Sequence, residues 1–113
     1  MLHQAHNACM EPCRSCSDAC EHCLTACLHE PDVAERAHCI EVLRDCADAC
    51  DLCARWMARD GGFVHPLCEL CAETCEACAA ECGRFPQEHC RRCAEACRRC
   101  AQECRAMAGK VTV

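Results

Sequence analysis

Residues 68–82 read CELCAETCEACAAEC, with cysteines separated by steps of 3, 4, 3 and 4. The same steps recur in residues 90–104, which read CRRCAEACRRCAQEC. Alternating steps of three and four average about 3.5 residues, the spacing that keeps one side-chain type on one face of an α-helix. Cysteine stands where leucine or isoleucine would stand in a helical bundle. The pattern therefore predicts helices whose inner faces are lined with thiols.

Two earlier segments carry related patterns. Cysteines step by 4, 3, 4, 3 and 4 in residues 9–27, and by 7, 4 and 3 in residues 39–53, where Leu43 takes the place of one cysteine. We predict helices at about 8–29, 32–59, 65–82 and 86–108, separated or ended by Pro31, Gly61, Gly62, Pro66, Gly83, Pro86 and Gly109. Short connections favour antiparallel neighbours. The expected fold class is all-α, an antiparallel up-down-up-down four-helix bundle with a cysteine-lined core, forming a single domain over 1–113.

The helix starts carry specific predictions. Asp32 and Glu35 are typical of an N-cap and capping box, so they favour a start of the second helix at Asp32. Pro12 is expected in or near the first turn of the first helix, which leaves Cys9 at or before its start.

Composition excludes several classes of function. Of 113 residues, 20 are cysteine and only 15 are Leu, Ile, Val or Phe, so an ordinary apolar core is missing. The net charge of −6 and the absence of tyrosine argue against a nucleic-acid partner. No apolar run reaches the ~18 residues that a membrane span needs, and the N-terminus has no signal-peptide pattern. We therefore expect a cytoplasmic protein whose thiols stay reduced and bind metal.

Four chemistries compete for the thiols. Disulfides fit poorly, because Cβ atoms at i and i+4 lie ~5–6 Å apart, whereas a disulfide needs ~3.5–4.5 Å. Iron–sulfur clusters fit poorly, because their ligand spacing is absent. Zinc could bind four thiolates, but each such site carries −2, so several would accumulate charge in a narrow core.

Cu(I) fits best, because it selects soft thiolate ligands and balances one thiolate in charge. Eight C-x3-C pairs could each bind it, and Cys39, Cys53, Cys68 and Cys90 would need partners on another helix. Every cysteine is thus a candidate metal ligand: Cys9, Cys13, Cys16, Cys20, Cys23, Cys27, Cys39, Cys46, Cys50, Cys53, Cys68, Cys71, Cys75, Cys78, Cys82, Cys90, Cys93, Cys97, Cys100 and Cys104.

This arrangement of C-x2-C and C-x3-C blocks resembles the cytosolic copper storage proteins over about residues 9–107. The resemblance implies a homo-oligomer, a tetramer, whose protomers each hold many Cu(I) ions and sequester or supply copper. It also implies copper donor or acceptor proteins as partners. Leu43 and Pro12 depart from the family pattern.

One end of the predicted bundle carries further soft ligands in phase with the cysteines. They are His6, Met57, His65 and Met107. We expect copper to enter at this His/Met end, with Leu28, Pro31, Val33, Phe85 and Pro86 plugging the other end. His22, His29, His38 and His89 are out of register and are expected at the surface.

Storage of Cu(I), roughly one ion per thiol, is the predicted function. A multi-zinc protein or general thiol and metal buffer is the alternative. The cysteines share one repetitive context, with no single activated nucleophile, so we expect no enzyme activity.

Overall fold

The structure is a computed structural model that describes residues 2–109, with side chains described from Ala8 to Gly109. It contains helices α1 (Leu2–Leu28), α2 (Ala37–Ala58), α3 (Val64–Cys82) and α4 (Glu88–Ala108), and a 3₁₀ turn, Val33–Arg36, before α2. Helices α1 and α3 each pack against both α2 and α4. The result is an antiparallel four-helix bundle measuring 49 × 19 × 18 Å, as predicted. Among the described residues, none of the helices is long and apolar enough to cross a bilayer.

Thiols fill the core of this bundle. All 20 cysteines are buried, and none is more than 1% exposed. Alanines such as Ala72 and Ala94 lie beside them, also buried. Such small residues let neighbouring helices approach closely, so the thiol rows of different helices come into contact.

Helix α1 begins earlier than predicted, at Leu2 instead of residue 8, and Pro12 lies well inside it. The expectation that Cys9 is at or before the helix start is therefore wrong. A proline inside a helix removes one backbone hydrogen bond and costs about 3 kcal/mol. Here Pro12 is buried, and Cys9 packs on α4 with its Sγ 3.5 Å from that of Cys104. Tertiary packing on both sides of the proline offsets the lost bond.

Helix α2 begins later than predicted, at Ala37 instead of Asp32. Asp32 precedes the 3₁₀ turn, but its side chain makes no capping bond to the backbone. Instead its Oδ1 accepts a hydrogen bond of 2.6 Å from Nε of Arg36. The predicted capping box is thus wrong, because a buried arginine takes the carboxylate. The predicted start of α4 at residue 86 is also two residues early, since Gln87 is extended.

Candidate metal centre

Neighbouring thiols along each helix approach one another as the spacing predicts. In seven of the eight C-x3-C pairs the two Sγ atoms lie 3.8–4.0 Å apart. In the eighth pair, Cys71 and Cys75 both contact Cys50 of α2, at 3.6 and 3.5 Å. The single-helix spacing therefore brings most sulfurs within range of a shared metal ion.

The four cysteines left over by these pairs find partners on other helices, also as predicted. Cys39 contacts Cys82 at 3.9 Å, and Cys53 contacts Cys68 at 3.6 Å. Cys90 contacts Cys23 at 3.9 Å. Each of these contacts joins two adjacent helices of the bundle.

Longer-range contacts merge the pairs into one column of sulfur. Groups of four ligand atoms, all within 4.8 Å of one another, recur along the bundle axis. They overlap in membership: Cys16 and Cys46 belong both to the group with Cys50 and Cys75 and to the group with Cys20 and Cys97. A closed zinc site with four thiolates carries a charge of −2, so filling the column with such sites would accumulate negative charge in the core. A column whose sulfurs are shared between adjacent sites suits a metal that accepts two or three bridging thiolates.

The sulfur–sulfur distances fit metal bridging better than disulfides. All 20 cysteines are free, and the Sγ contacts of 3.5–4.0 Å are far from the ~2.05 Å of a disulfide bond. Two metal–thiolate bonds of about 2.3 Å opening at 120° span about 4.0 Å between sulfurs. The thiols therefore already lie at the separation of trigonal coordination, and a small rotation about χ1 would widen it for linear coordination.

Burial and mutual hydrogen bonding set the protonation of this column. Desolvation raises the pKa of Cys90 to about 11, against the opposing effect of the Arg36 guanidinium. Hydrogen bonds from Cys104 and Cys13 lower the pKa of Cys9, while bonds to Cys100 and Cys13 raise that of Cys104. Metal binding to a thiol releases its proton, so a monovalent ion that replaces a proton leaves the charge of the core unchanged.

At the predicted His/Met end, the two methionines lie inside the core. Met57 is fully buried and Met107 is 3% exposed. His65 is half-buried, and its Nδ1 lies 3.0 Å from the backbone oxygen of Met107. The side chain of His6 lies outside the described residues. The register thus places Met57, His65 and Met107 beside the last thiols of this end, under apolar cover.

The opposite end differs from the prediction. Leu28 and Val33 are 52% and 37% exposed, and Pro31 and Pro86 are exposed as well, so these four residues form no plug. Of the residues expected to plug this end, only Phe85 packs against the core. The end is closed instead by polar groups.

His89 is one of these groups, so its expected surface position is wrong, although His22, His29 and His38 are exposed as predicted. Its side chain is 14% exposed, and Nε2 lies 2.9 Å from Oε2 of Glu30. A carboxylate only accepts, so Nε2 carries the proton and Nδ1 presents its lone pair. Nδ1 lies 3.4 Å from Sγ of Cys23 and 3.5 Å from Sγ of Cys90. His89 therefore joins Cys23, Cys27 and Cys90 in a possible metal site, oriented by Glu30 as ligating histidines usually are.

Arg36 is the second group that the sequence analysis missed. It is completely buried, and its Nη1 donates to Sγ of Cys27 at 3.6 Å and of Cys90 at 3.3 Å. The signal was available: Arg36 lies three residues before Cys39, in phase with the cysteines of α2. Extending the cysteine spacing of α2 towards its start therefore identifies Arg36 as a residue that faces the core.

Comparison with known proteins identifies the family of this chain. The family model described as copper storage protein matches residues 2–109. The chain belongs to the copper storage protein family. A comparison with curated protein sequences gives no match.

Solved structures of this family share the fold closely. The Cu(I)-bound copper storage protein BsCsp3 is 45% identical with a TM-score of 0.88, the match covering 92% of this chain and 98% of that chain. The apo form of copper storage protein 3 from Bacillus subtilis is also 45% identical, with a TM-score of 0.84 and coverage of 90% and 97%. A cytosolic copper storage protein from Streptomyces lividans, with five coppers, is 39% identical over 98% of both chains, with a TM-score of 0.93. Copper storage is therefore the function of this chain, and the zinc alternative is not favoured.

Proposed function

We propose that the 20 buried thiols are the ligands that store Cu(I) in this chain, with a capacity of roughly one ion per thiol. The observation that carries this proposal is the overlap of the four-ligand groups through shared sulfurs such as those of Cys16 and Cys46. One Cu(I) per thiolate leaves the load neutral, so a long column can be filled without the cost of burying unpaired charge. Met57, His65 and Met107, together with His6 and His89, add ligands at the two ends.

An anaerobic titration of the reduced chain tests this proposal. Cu(I) is added against a competing chelator that reports free copper, and the titration is repeated with Zn²⁺. We expect tight binding of Cu(I) up to about the thiol count, and a much lower capacity for Zn²⁺. Tight binding of only one or two Cu(I) ions would contradict storage by the column.

A matched set of variants tests the ligand assignment. Replacing Cys16, Cys46, Cys50 and Cys75 by alanine removes one complete four-ligand group, and the capacity should fall by about four ions. Alanine keeps the sites small and apolar and leaves no unpaired polar group. The control is a fourfold change of the exposed residues Glu41, Arg44, Asp45 and Asp48 to alanine, which should leave the capacity unchanged.

We further propose that copper enters at the His/Met end, as the phase of His6, Met57, His65 and Met107 predicts. Thioether and imidazole groups bind Cu(I) more weakly than thiolates do, so they can pass an ion inward without trapping it. Met57 and Met107 lie next to the outermost thiols of this end, which supports the proposal.

The wider setting of the function is also a proposal. A homotetramer, a cytoplasmic location and transfer of copper to or from partner proteins follow from the family resemblance. The repetitive context of the thiols supports a role without catalysis, and the imidazole of His89 contacts Cys23 and Cys90 as one member of a four-ligand group. Size-exclusion chromatography with light scattering measures the assembly directly, and a monomer would remove the tetramer.

A further inference from the structure

The end of the bundle opposite the His/Met end is closed by one buried guanidinium. We call this the Arg36 end; it is where α1 and α3 finish and α2 and α4 begin. Arg36 is the one buried charged side chain among the residues whose burial is described. Burying an isolated charge is costly unless hydrogen-bond and charge partners compensate for the lost water. Arg36 must therefore have such partners.

The partners of Arg36 come from both sides of the opening. Nε donates to Oδ1 of Asp32 at 2.6 Å, and Nη2 donates to Oε1 of Gln87 at 2.6 Å. Asp32 belongs to the segment between α1 and α2, and Gln87 to the segment between α3 and α4. The carbon of the guanidinium lies 4.2 Å from the ring centre of Phe85. The guanidinium thus bridges two loops and lies over an aromatic ring.

The remaining edge of the guanidinium points into the core, towards the thiols of Cys27 and Cys90. Both sulfurs belong to the possible metal site that also includes Cys23 and His89. A Cu(I) ion that approaches them from this end meets a fixed positive charge on a completely buried side chain. The charge is permanent, because hydrogen bonds to Asp32, Cys27 and Cys90 more than offset the effect of burial and raise the pKa of Arg36.

We propose that Arg36 is a latch that closes this end of the thiol column to copper. When its bonds to Asp32 and Gln87 are made, ions cannot pass; when they break, the side chain swings out and Cys27 and Cys90 become accessible. The inference rests on the proposed storage of Cu(I) by these thiols. It differs from a ligand role, because a latch controls rates of exchange and leaves the number of sites unchanged.

The test measures rates of copper uptake and removal separately from capacity. Reduced protein is mixed anaerobically with Cu(I) held by a coloured chelator, and loaded protein is mixed with excess chelator, with absorbance followed in time. The variants are Arg36→Leu, which keeps an apolar side chain without the charge and adds no copper ligand, and Gln87→Ala, which removes one bond of the latch and leaves the buried charge in place. Arg99→Ala is the control, since Arg99 pairs with Glu11 on the surface at 3.3 Å.

We expect Gln87→Ala and Arg36→Leu each to speed up copper uptake and copper removal, with both rates of a given variant rising by the same factor. For Gln87→Ala both rates should rise about tenfold, because one hydrogen bond to a charged group no longer has to break before copper passes. The capacity, the ratio of the two rates and the behaviour of Arg99→Ala should stay as in the parent chain. Gln87→Ala keeps the result interpretable if Arg36→Leu folds poorly.

Parental rates in both variants would overturn the latch and leave the His/Met end as the route. A change in affinity without a change in uptake rate would also overturn it, since Arg36 would then act on the bound state. A low capacity in the parent chain is a different failure, because it contradicts the storage proposal itself.

Discussion

Leu43 interrupts the thiol column, and replacing it with cysteine should extend the column by one ligand. Leu43 is fully buried, four residues after Cys39 and three before Cys46. A cysteine there would be in phase with the rest of α2. We expect Leu43→Cys to bind one more Cu(I) ion than the parent chain.

The same substitution should destabilise the metal-free bundle by a calculable amount. It removes three carbons and adds one sulfur, a net loss of about two methylene equivalents at ~0.8 kcal/mol each. A small cavity adds to this loss, and the full Leu→Ala cost of ~3–5 kcal/mol is an upper bound. The free energy of unfolding should therefore fall by about 2–3 kcal/mol, measured by urea denaturation under anaerobic, reducing conditions.

Two controls separate the thiol from the lost leucine. Leu43→Ala creates a larger cavity without a ligand, and Leu70→Cys adds a thiol at a site that is 52% exposed. Native mass spectrometry of loaded protein counts the copper ions in each chain. The reasoning is refuted if Leu43→Cys holds no more copper than Leu43→Ala, with its new thiol still open to alkylation.

Three further predictions concern the ends of the column and the metal-free state. Exchanging Met57 and Met107 together for leucine keeps the core volume, so stability should change by less than about 1.5 kcal/mol, while Cu(I) uptake slows at unchanged capacity; parental uptake rates would exclude a role of these thioethers. Burial holds the pKa of Cys90 at about 11, above its ordinary 9.0, so the folded state keeps a proton that the unfolded chain loses at lower pH. Its contribution to stability should be complete below pH 9 and disappear as the pH rises towards 11, which urea midpoints of the parent and of Cys90→Ala, measured across this range, can compare. Removing copper from the loaded chain with a strong chelator should lower its melting temperature, because ions bound only to the folded state stabilise it; equal melting temperatures would contradict binding in the core.

Much of the fold follows from the cysteine register, because one period fixes both the helices and their buried faces. The spacing of three and four residues predicted four helices, and the thiols did line the core. The two sulfurs of most predicted pairs are in contact. The partners of Cys39 and Cys90 lie on other helices, as expected.

The errors arose where tertiary contacts override a local signal. Pro12 predicts a helix start by its lost backbone donor, yet packing around it carries α1 back to Leu2. Asp32 predicts an N-cap by its side chain, yet Arg36 takes the carboxylate. His89 is out of phase with the cysteines, but at the first turn of α4 its ring folds back to Glu30 and Cys23. The contacts of Cys9 and His89 join segments that are distant in sequence, and Arg36, although only four residues after Asp32, is held inside by Gln87 and Cys90.

Sulfurs that are shared between ligand groups affect how a copper ion could move inside the bundle. An ion held by Cys16, Cys20, Cys46 and Cys97 has two of the four sulfurs of the next group already among its ligands. Moving one step along the axis therefore means exchanging some bonds while others stay in place. Ions that exchange in this way would need no open channel, because the sulfurs that hold copper would also provide its path.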